Sequence, residues 1–256
     1  MNSSLRPAPA VGPSISMRRA LSRRRFLLTA SAALAAARIS RSAQQETAPK
    51  LLDHILVGSP DLDAGIKFVE ERTGVRAAFG GVHPGAGTRN ALLSLGTNRY
   101  LEIIAPDPQQ PATDDKRNLS SLEEPVLVGW AQHPGDIEAF AQRIKDEGVD
   151  IVGPQPGSRK RPDGRMLNWK TLALKDDAGG LFPFFIEWGA GTMHPSIDAP
   201  QGCHLELFEA ISKEKDLVQI RHRAGQLNLD LKITSGHTPH LHAIVAGPKG
   251  RLDITF

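Results

Sequence analysis

The chain has 256 residues, of which 40% are hydrophobic and 23% are charged, a composition typical of globular proteins. Its single cysteine, Cys203, excludes an internal disulfide framework and a zinc site with four thiolate ligands. The formal net charge is +3, but eight of the 31 basic residues lie within residues 1–43, which contain no Asp or Glu. The remainder has 23 basic and 28 acidic side chains, so the charge does not predict a nucleic-acid partner.

The N-terminal segment, residues 1–43, is predicted to be an export signal. It contains the string Ser22-Arg23-Arg24-Arg25-Phe26-Leu27-Leu28, which resembles a twin-arginine motif and leads into a short run of apolar and small residues. This run has about 11 residues, whereas a membrane-spanning helix needs about 20. We therefore expect a periplasmic or secreted protein without a membrane anchor. The alternative is a disordered basic tail.

A first structural unit is predicted over residues 51–107. An apolar run of strand length comes first, and Pro60-Asp61 then begins a helix that ends before Gly74. Three further strands follow this helix, and Gly96-Thr97-Asn98-Arg99 forms the turn between the last two. The predicted strands are residues 51–57, 75–79, 90–95 and 100–104.

The same order of elements is predicted again over residues 126–190. Asp136 begins a helix with apolar residues at helical spacing, and Gly148 ends it. The predicted strands are residues 126–131, 149–152, 167–174 and 184–188. Residues 154–164 are expected to form a polar loop, which would leave the charges of Arg159-Lys160-Arg161 in solvent.

A third, partial copy of the unit is predicted over residues 200–256. A strand–helix–three-strand unit has an apolar sheet face that it cannot bury alone, so the copies must pair. The sequence therefore predicts an α+β protein built from tandem βαβββ modules, with curved mixed sheets around a cavity.

Four strings in these modules resemble the glyoxalase-like domain family of the vicinal oxygen chelate superfamily. They are Leu52-Asp53-His54-Ile55-Leu56-Val57, residues 80–90, Tyr100-Leu101-Glu102-Ile103-Ile104 and Phe185-Ile186-Glu187-Trp188-Gly189. The resemblance implies paired modules whose sheets enclose a substrate cavity. It also implies a divalent ion, bound by the first and fourth strands of each module, that acts as a Lewis acid.

Transferred to this chain, the resemblance assigns the metal ligands to His54, Glu102 and Glu187. Each lies in an otherwise apolar strand, where an ionised Glu is costly to bury unless it is paired or binds a metal. The fourth ligand is missing, because the corresponding positions are Val128 and Gly129. One His and two carboxylates could still hold iron(II), manganese or zinc. The alternative is a hydrogen-bonded buried His with both Glu side chains on a solvated face.

The glycine-rich segment, residues 80–90, is a second candidate for a catalytic or substrate-binding role. We expect His83 to act as an acid or base, and Arg89 to bind a carboxylate or phosphate of the substrate. Asn90 and Trp130 are also assigned to substrate binding. The alternative is a turn in which the glycines only supply unusual backbone angles.

The sequence thus predicts a metal-dependent enzyme acting on a small oxygenated substrate, by lyase, dioxygenase or isomerase chemistry. A second hypothesis is a non-catalytic protein that binds a small molecule in the same cavity, which the missing fourth ligand favours. A third is an assembly role, in which the unpaired third module forms a homodimer.

Overall fold

The computed structural model describes residues 47–111 and 117–255, so the predicted export signal lies outside the described residues. The first module begins with a fully buried strand. Helix α1 follows, capped at its start by the Asp61 carboxylate, which accepts a hydrogen bond from the Ala64 N–H, and at its end by Gly74 with φ of 81°. The elements are β1 (Leu52–Gly58), α1 (Leu62–Thr73), β2 (Ala78–His83), β3 (Thr88–Ser94) and β4 (Tyr100–Pro106).

The second module repeats this order. The elements are β5 (Val126–Gln132), α2 (Ile137–Asp146), β6 (Ile151–Lys160), β7 (Met166–Leu174) and β8 (Phe184–Trp188). Asp136 caps α2 by accepting hydrogen bonds from the N–H groups of Glu138 and Ala139. The prediction of a polar loop over residues 154–164 was wrong for most of its length, because β6 continues to Lys160 and pairs with β7 in antiparallel register.

The two modules form one eight-stranded mixed sheet in the order β2-β3-β4-β1-β5-β8-β7-β6. Antiparallel pairing of β1 with β5 joins the modules, while β1 and β4 are parallel, as are β5 and β8. The sheet curls so that its two end strands approach, and the Arg159 guanidinium on β6 donates a hydrogen bond to the Gly80 carbonyl on β2. The predicted α+β fold with curved sheets is therefore confirmed.

The C-terminal part has the order strand, helix, three strands, but it forms a separate four-stranded sheet. Its elements are β9 (His204–Lys213), α3 (Leu217–Gln226), β10 (Lys232–Gly236), β11 (His240–Ala246) and β12 (Arg251–Thr255). The strand order is β10-β9-β11-β12, so the first strand pairs with the second and third strands of the unit. In the first module the first strand pairs with the fourth instead.

The main hydrophobic core lies on the outer face of the curled sheet, beneath the helices and the four-stranded sheet. Its members come from both sheets, and the Trp130 ring on β5 meets the Phe208 ring on β9 edge to face with 5.2 Å between centroids. The concave face encloses a separate interior in which polar and apolar side chains are mixed. Across the described ranges, no helix has the length and apolarity needed to cross a membrane.

The Trp130–Phe208 contact predicts how much packing between the two sheets contributes to the free energy of unfolding. Phe208→Ala should lower the free energy of unfolding by about 3–5 kcal/mol, because it removes a fully buried ring from between the sheets. Val218→Ala, at a side chain that is 83% exposed, serves as a control with a change within about 0.5 kcal/mol. Urea denaturation would measure both, and equal effects of the two substitutions would contradict this packing.

Candidate functional site

The concave face of the curled sheet encloses a cavity of about 170 Å³. Ligand pockets more often measure about 300–1,000 Å³, so this cavity suits a small molecule. Both modules contribute to its wall. The lining residues are His54, Leu56, His83, Ala86, Thr88, Asn90, Tyr100, Glu102, Ile104, Arg117, Arg159, Trp169, Thr171, Phe184, Ile186 and Trp188.

His54, on β1, is held in one orientation by its neighbours. Its Nδ1 lies 2.7 Å from Asp53 Oδ1, and its ring stacks on Tyr100 with 4.5 Å between centroids. Because an ionised carboxylate can only accept, the Nδ1–H must be the donor. His54 Nε2 is the ring atom on the cavity side and lies 3.6 Å from Glu102 Oε2.

Asp53 is a site residue that the sequence analysis missed. Its carboxylate also accepts a hydrogen bond from Trp188 Nε1 at 3.0 Å and meets His194 Nε2 at 3.2 Å. Burial raises the pKa of Asp53, but the hydrogen bonds from His194 and His54 and their charges outweigh it and hold the pKa well below 3.8. Asp53 therefore stays ionised and orients the His54 ring, a role that carboxylates commonly have beside functional histidines.

Glu102, on β4, lies buried between two cavity residues. Its Oε1 accepts a hydrogen bond from Asn90 Nδ2 at 2.9 Å and lies 3.7 Å from His83 Nε2. Burial raises the pKa of Glu102, yet interactions with His83 and His54, the Asn90 hydrogen bond and the charge of Arg159 together bring the pKa below its ordinary value. The cavity thus contains a carboxylate that is ionised at neutral pH.

His83, at the end of β2, is placed in the cavity. Its Nδ1 lies 2.9 Å from Thr88 Oγ1, and its Nε2 lies 3.3 Å from the Asn90 amide nitrogen. Burial lowers the pKa of His83, and the nearby charge of Glu102 only partly opposes this. Its imidazole is therefore neutral at pH 7. Asn90, predicted to bind substrate, also lies in the wall and orients Glu102.

Arg159 is the second residue that the sequence analysis missed. It was assigned to a solvated loop, but it lies on β6 and is only 5% exposed. The alternation of β6 and β7 explains this placement: Arg159 is paired with Leu167 and shares a face with Gly157 and Trp169. A charge run in the sequence gave no sign that its first member would face inward.

Glu187 does not join His54 and Glu102, which corrects the predicted ligand set. On β8 the cavity is lined by Phe184, Ile186 and Trp188, so Glu187 points to the opposite face. There its Oε2 accepts a hydrogen bond of 2.7 Å from the Ile137 N–H at the start of α2. Glu187 therefore binds the start of α2 and does not line this cavity, although it lines a separate groove that includes Lys170.

Arg89 and Trp130 also lie outside the cavity, contrary to their predicted roles in substrate binding. Arg89 alternates with Thr88 and Asn90 on β3 and faces α1, where its Nη2 lies 3.6 Å from Asp61 Oδ2. Trp130 belongs to the core on the other side of the sheet, and its Nε1 donates a hydrogen bond to the Leu181 carbonyl.

The residues of the cavity do not fit the predicted metal set. Over the described ranges, no group of three or more His, Cys, Asp or Glu side chains is arranged to hold a metal ion. The Glu102 carboxylate already accepts a hydrogen bond from Asn90, and the positive charge of Arg159 acts on the same carboxylate. The arrangement instead offers an oriented imidazole and an ionised carboxylate beside one another.

Comparisons with known proteins agree with this fold. A family model described as a glyoxalase-like domain matches residues 52–224. A hypothetical protein from Staphylococcus aureus is 18% identical over 80% of this chain and 84% of that chain, with a TM-score of 0.54, and shares the fold. Methylmalonyl-CoA epimerase from Mycobacterium tuberculosis is 19% identical over 57% of this chain and 93% of that chain, with a TM-score of 0.40. No curated protein matches the chain.

The buried Asp53 carboxylate predicts a pH-dependent effect on stability. Because its pKa is lowered in the folded state, its stabilising contribution is fully present above pH 3.8 and is lost as the pH falls through the folded-state value. Asp53→Asn should therefore lower the free energy of unfolding by about 3–5 kcal/mol at pH 7. Urea denaturation should show a smaller difference from the wild type in strong acid. A difference that does not change with pH would contradict the ionised state of Asp53.

Substitution of Glu187 tests whether its side chain faces helix α2 or the cavity. Glu187→Ala should lower the free energy of unfolding by about 0.5–2 kcal/mol, because α2 loses a partner for its first N–H group, and it should leave ligand binding in the cavity unchanged. Glu138→Ala, which removes an exposed ion pair with Lys170, is the control, with a loss of at most about 1 kcal/mol. Thermal melts and ligand titrations would measure these effects, and loss of ligand binding in Glu187→Ala would contradict its placement.

Proposed function

Because this chain belongs to the glyoxalase-like domain family, matched over residues 52–224, we propose that it is an enzyme that moves a proton on a small oxygenated substrate. The observation that supports this most is the position of His54 Nε2, which faces the cavity 3.6 Å from Glu102 Oε2 while Asp53 holds Nδ1. The chemistry would be of the isomerase or lyase type. The twin-arginine pattern of residues 22–28 supports action outside the cytoplasm.

In this proposal His54 is the base that removes a proton from carbon beside an oxygenated group. Proton removal turns the imidazole into an imidazolium, which is stabilised by the ionised carboxylates of Asp53 on one side and Glu102 on the other. The imidazolium can then return the proton from Nε2 to a neighbouring substrate atom. Tyr100 supports the ring by stacking, and its own proton is retained because burial raises its pKa well above 10.0.

The surroundings favour this transfer because the side chains that would carry it are shielded from solvent. His54, Tyr100 and Glu102 are all buried. In such surroundings a fixed carboxylate stabilises a developing positive charge more than it would in water. The pair of carboxylates around one imidazole therefore supplies charge stabilisation without any rearrangement of the protein.

A second candidate function is binding without catalysis, as the sequence analysis also allowed. It is favoured by the contribution of the second module, whose cavity residues within the described ranges include no carboxylate and no imidazole. The two candidates differ in whether a bound compound exchanges carbon-bound hydrogen with solvent.

The proposed function predicts hydrogen exchange that depends on His54. Wild-type protein incubated in D2O with a panel of small 2-oxo and 2-hydroxy compounds should exchange a carbon-bound hydrogen of at least one of them, measured by proton NMR. His54→Gln should lower that rate by about 10²–10⁴-fold, because it removes the base, and Glu102→Gln should lower it by a smaller factor. Treatment with EDTA should leave the rate unchanged, since the described residues contain no group of three His, Cys, Asp or Glu side chains placed to hold an ion.

Glu187→Gln is the matched control for Glu102→Gln, because the same change is made on the opposite face of the sheet. It should exchange at the wild-type rate. Exchange in His54→Gln at the wild-type rate would refute the proposed role of His54. Binding of panel compounds without any exchange in the wild type would support the binding protein instead.

A further inference from the structure

We infer that the compound bound in this site carries a short apolar chain, which lies in a second cavity beside the first. The inference rests on the proposed function and names its substrate class: an oxygenated head at His54 and Glu102 with an aliphatic substituent. The second cavity has a volume of about 160 Å³. Its apolar wall residues include Leu56, Val128, Ala173, Phe182, Pro183 and Phe184.

The two cavities are neighbours on the concave side of the curled sheet, because Leu56, Arg117 and Phe184 line both of them. Leu56 is two residues after His54 on β1, so its side chain points to the same face about 7 Å farther along the strand. A chain attached to a head group at His54 would therefore run past Leu56 and the Phe184 ring. Together the two volumes reach the lower end of the usual range for ligand pockets, which the first cavity alone does not.

One apolar cluster connects the walls of the two cavities. Leu56 and Ile104, which line the first cavity, are buried members of this cluster, and Val128 and Phe184 pack against it. Val128 belongs to the wall of the second cavity. An aliphatic chain along this wall would be removed from water, which is favourable, whereas a polar chain would lose hydrogen bonds to water without gaining partners from these side chains.

The charged residues of the second cavity are already engaged within the protein. Asp177 is exposed, and its Oδ1 accepts a hydrogen bond of 3.0 Å from the Gly180 N–H. Arg117 also lines the first cavity, where its charge acts on His83, and it interacts with further groups of the protein. Neither residue therefore requires a charged substituent on the bound compound, and the apolar side chains define what this cavity accepts.

The second cavity lies where the resemblance described above predicted a fourth metal ligand. Val128 and Gly129, the two residues at that position, both line it. The half of the site that lacks the predicted ligand is therefore an apolar space beside the polar groups of the first module. This arrangement suits a compound with one polar end and one apolar end.

Strand β7 extends the apolar wall to the protein surface. Trp169 and Thr171 line the first cavity, and Ala173, the next residue on the same face, lines the second. Ala173 is exposed and is paired on β6 with Val152, whose side chain is 46% exposed. The apolar surface thus continues from the second cavity to solvent, which gives a chain a route of entry.

A homologous series of 2-alkanones tests the inference, because acetone, 2-butanone, 2-pentanone and 2-hexanone share one head group and differ in the length of the apolar chain. Binding can be measured by titration with saturation-transfer proton NMR. Wild-type protein should bind 2-hexanone about tenfold or more tightly than acetone, because each buried methylene group adds to the affinity. The terminal methyl group of 2-hexanone should receive saturation from the protein.

Ala173→Leu should remove most of the preference for 2-hexanone over acetone, because the larger side chain takes up space in the second cavity. Ala139→Leu is the matched control, since it makes the same change on the exposed face of α2 and should keep the wild-type preference. The comparison of 2-hexanone with acetone in the wild type needs no variant.

Equal wild-type affinity for acetone and 2-hexanone would overturn the inference, and so would an undiminished preference in Ala173→Leu. Hydrogen exchange in D2O separates this result from the proposed function. A preference for the longer chain that depends on Ala173, without exchange beside the carbonyl group above the protein-free rate, would support the second cavity and refute the enzyme. Exchange that depends on His54, without any preference for chain length, would do the reverse.

Discussion

The hydrogen bonds of the Asp53 carboxylate are the interactions on which the site depends. This buried side chain accepts from His54 on its own strand, from Trp188 on the last strand of the second module, and from His194 beyond it. It therefore fixes the imidazole of the first module against a strand of the second. Without this charge, His54 would lose its orientation, and one link between the two halves of the cavity would be lost.

Most of the secondary structure could be predicted because residues that begin or end a helix do so through local interactions that can be read from the sequence. Asp61 and Asp136 are helix caps in the structure, and Gly74 ends α1 in the left-handed conformation that favours glycine. The length of β6 could not be predicted in this way, because its polar and Gly/Pro-rich residues resemble a loop and become a strand only by pairing with β7. The pairing of the C-terminal sheet is likewise set by packing and not by local preference.

The candidate site was harder to predict because it depends on which face each strand residue occupies. His54 and Glu102 lie in apolar strands and reach the cavity, whereas Glu187 lies in an equally apolar strand and faces a helix. Because side chains alternate along a strand, a shift of one residue moves a side chain from one face of the sheet to the other. Asp53 and His54 are adjacent and would alternate in a regular strand, but the pairing of β1 with β5 is irregular between Leu52 and His54. Such irregularities have no clear signature in a single sequence.

The central claim is that Asp53 accepts the Nδ1–H of His54 and so leaves Nε2 as the ring atom that faces Glu102. Nitrogen-15 NMR of protein labelled on histidine tests this most directly, because the two ring nitrogens differ in chemical shift according to which carries the proton. With His54 assigned through His54→Gln, its neutral form should show a protonated Nδ1 and an unprotonated Nε2. A proton on Nε2 of the neutral ring, or rapid exchange between the two tautomers, would contradict the account.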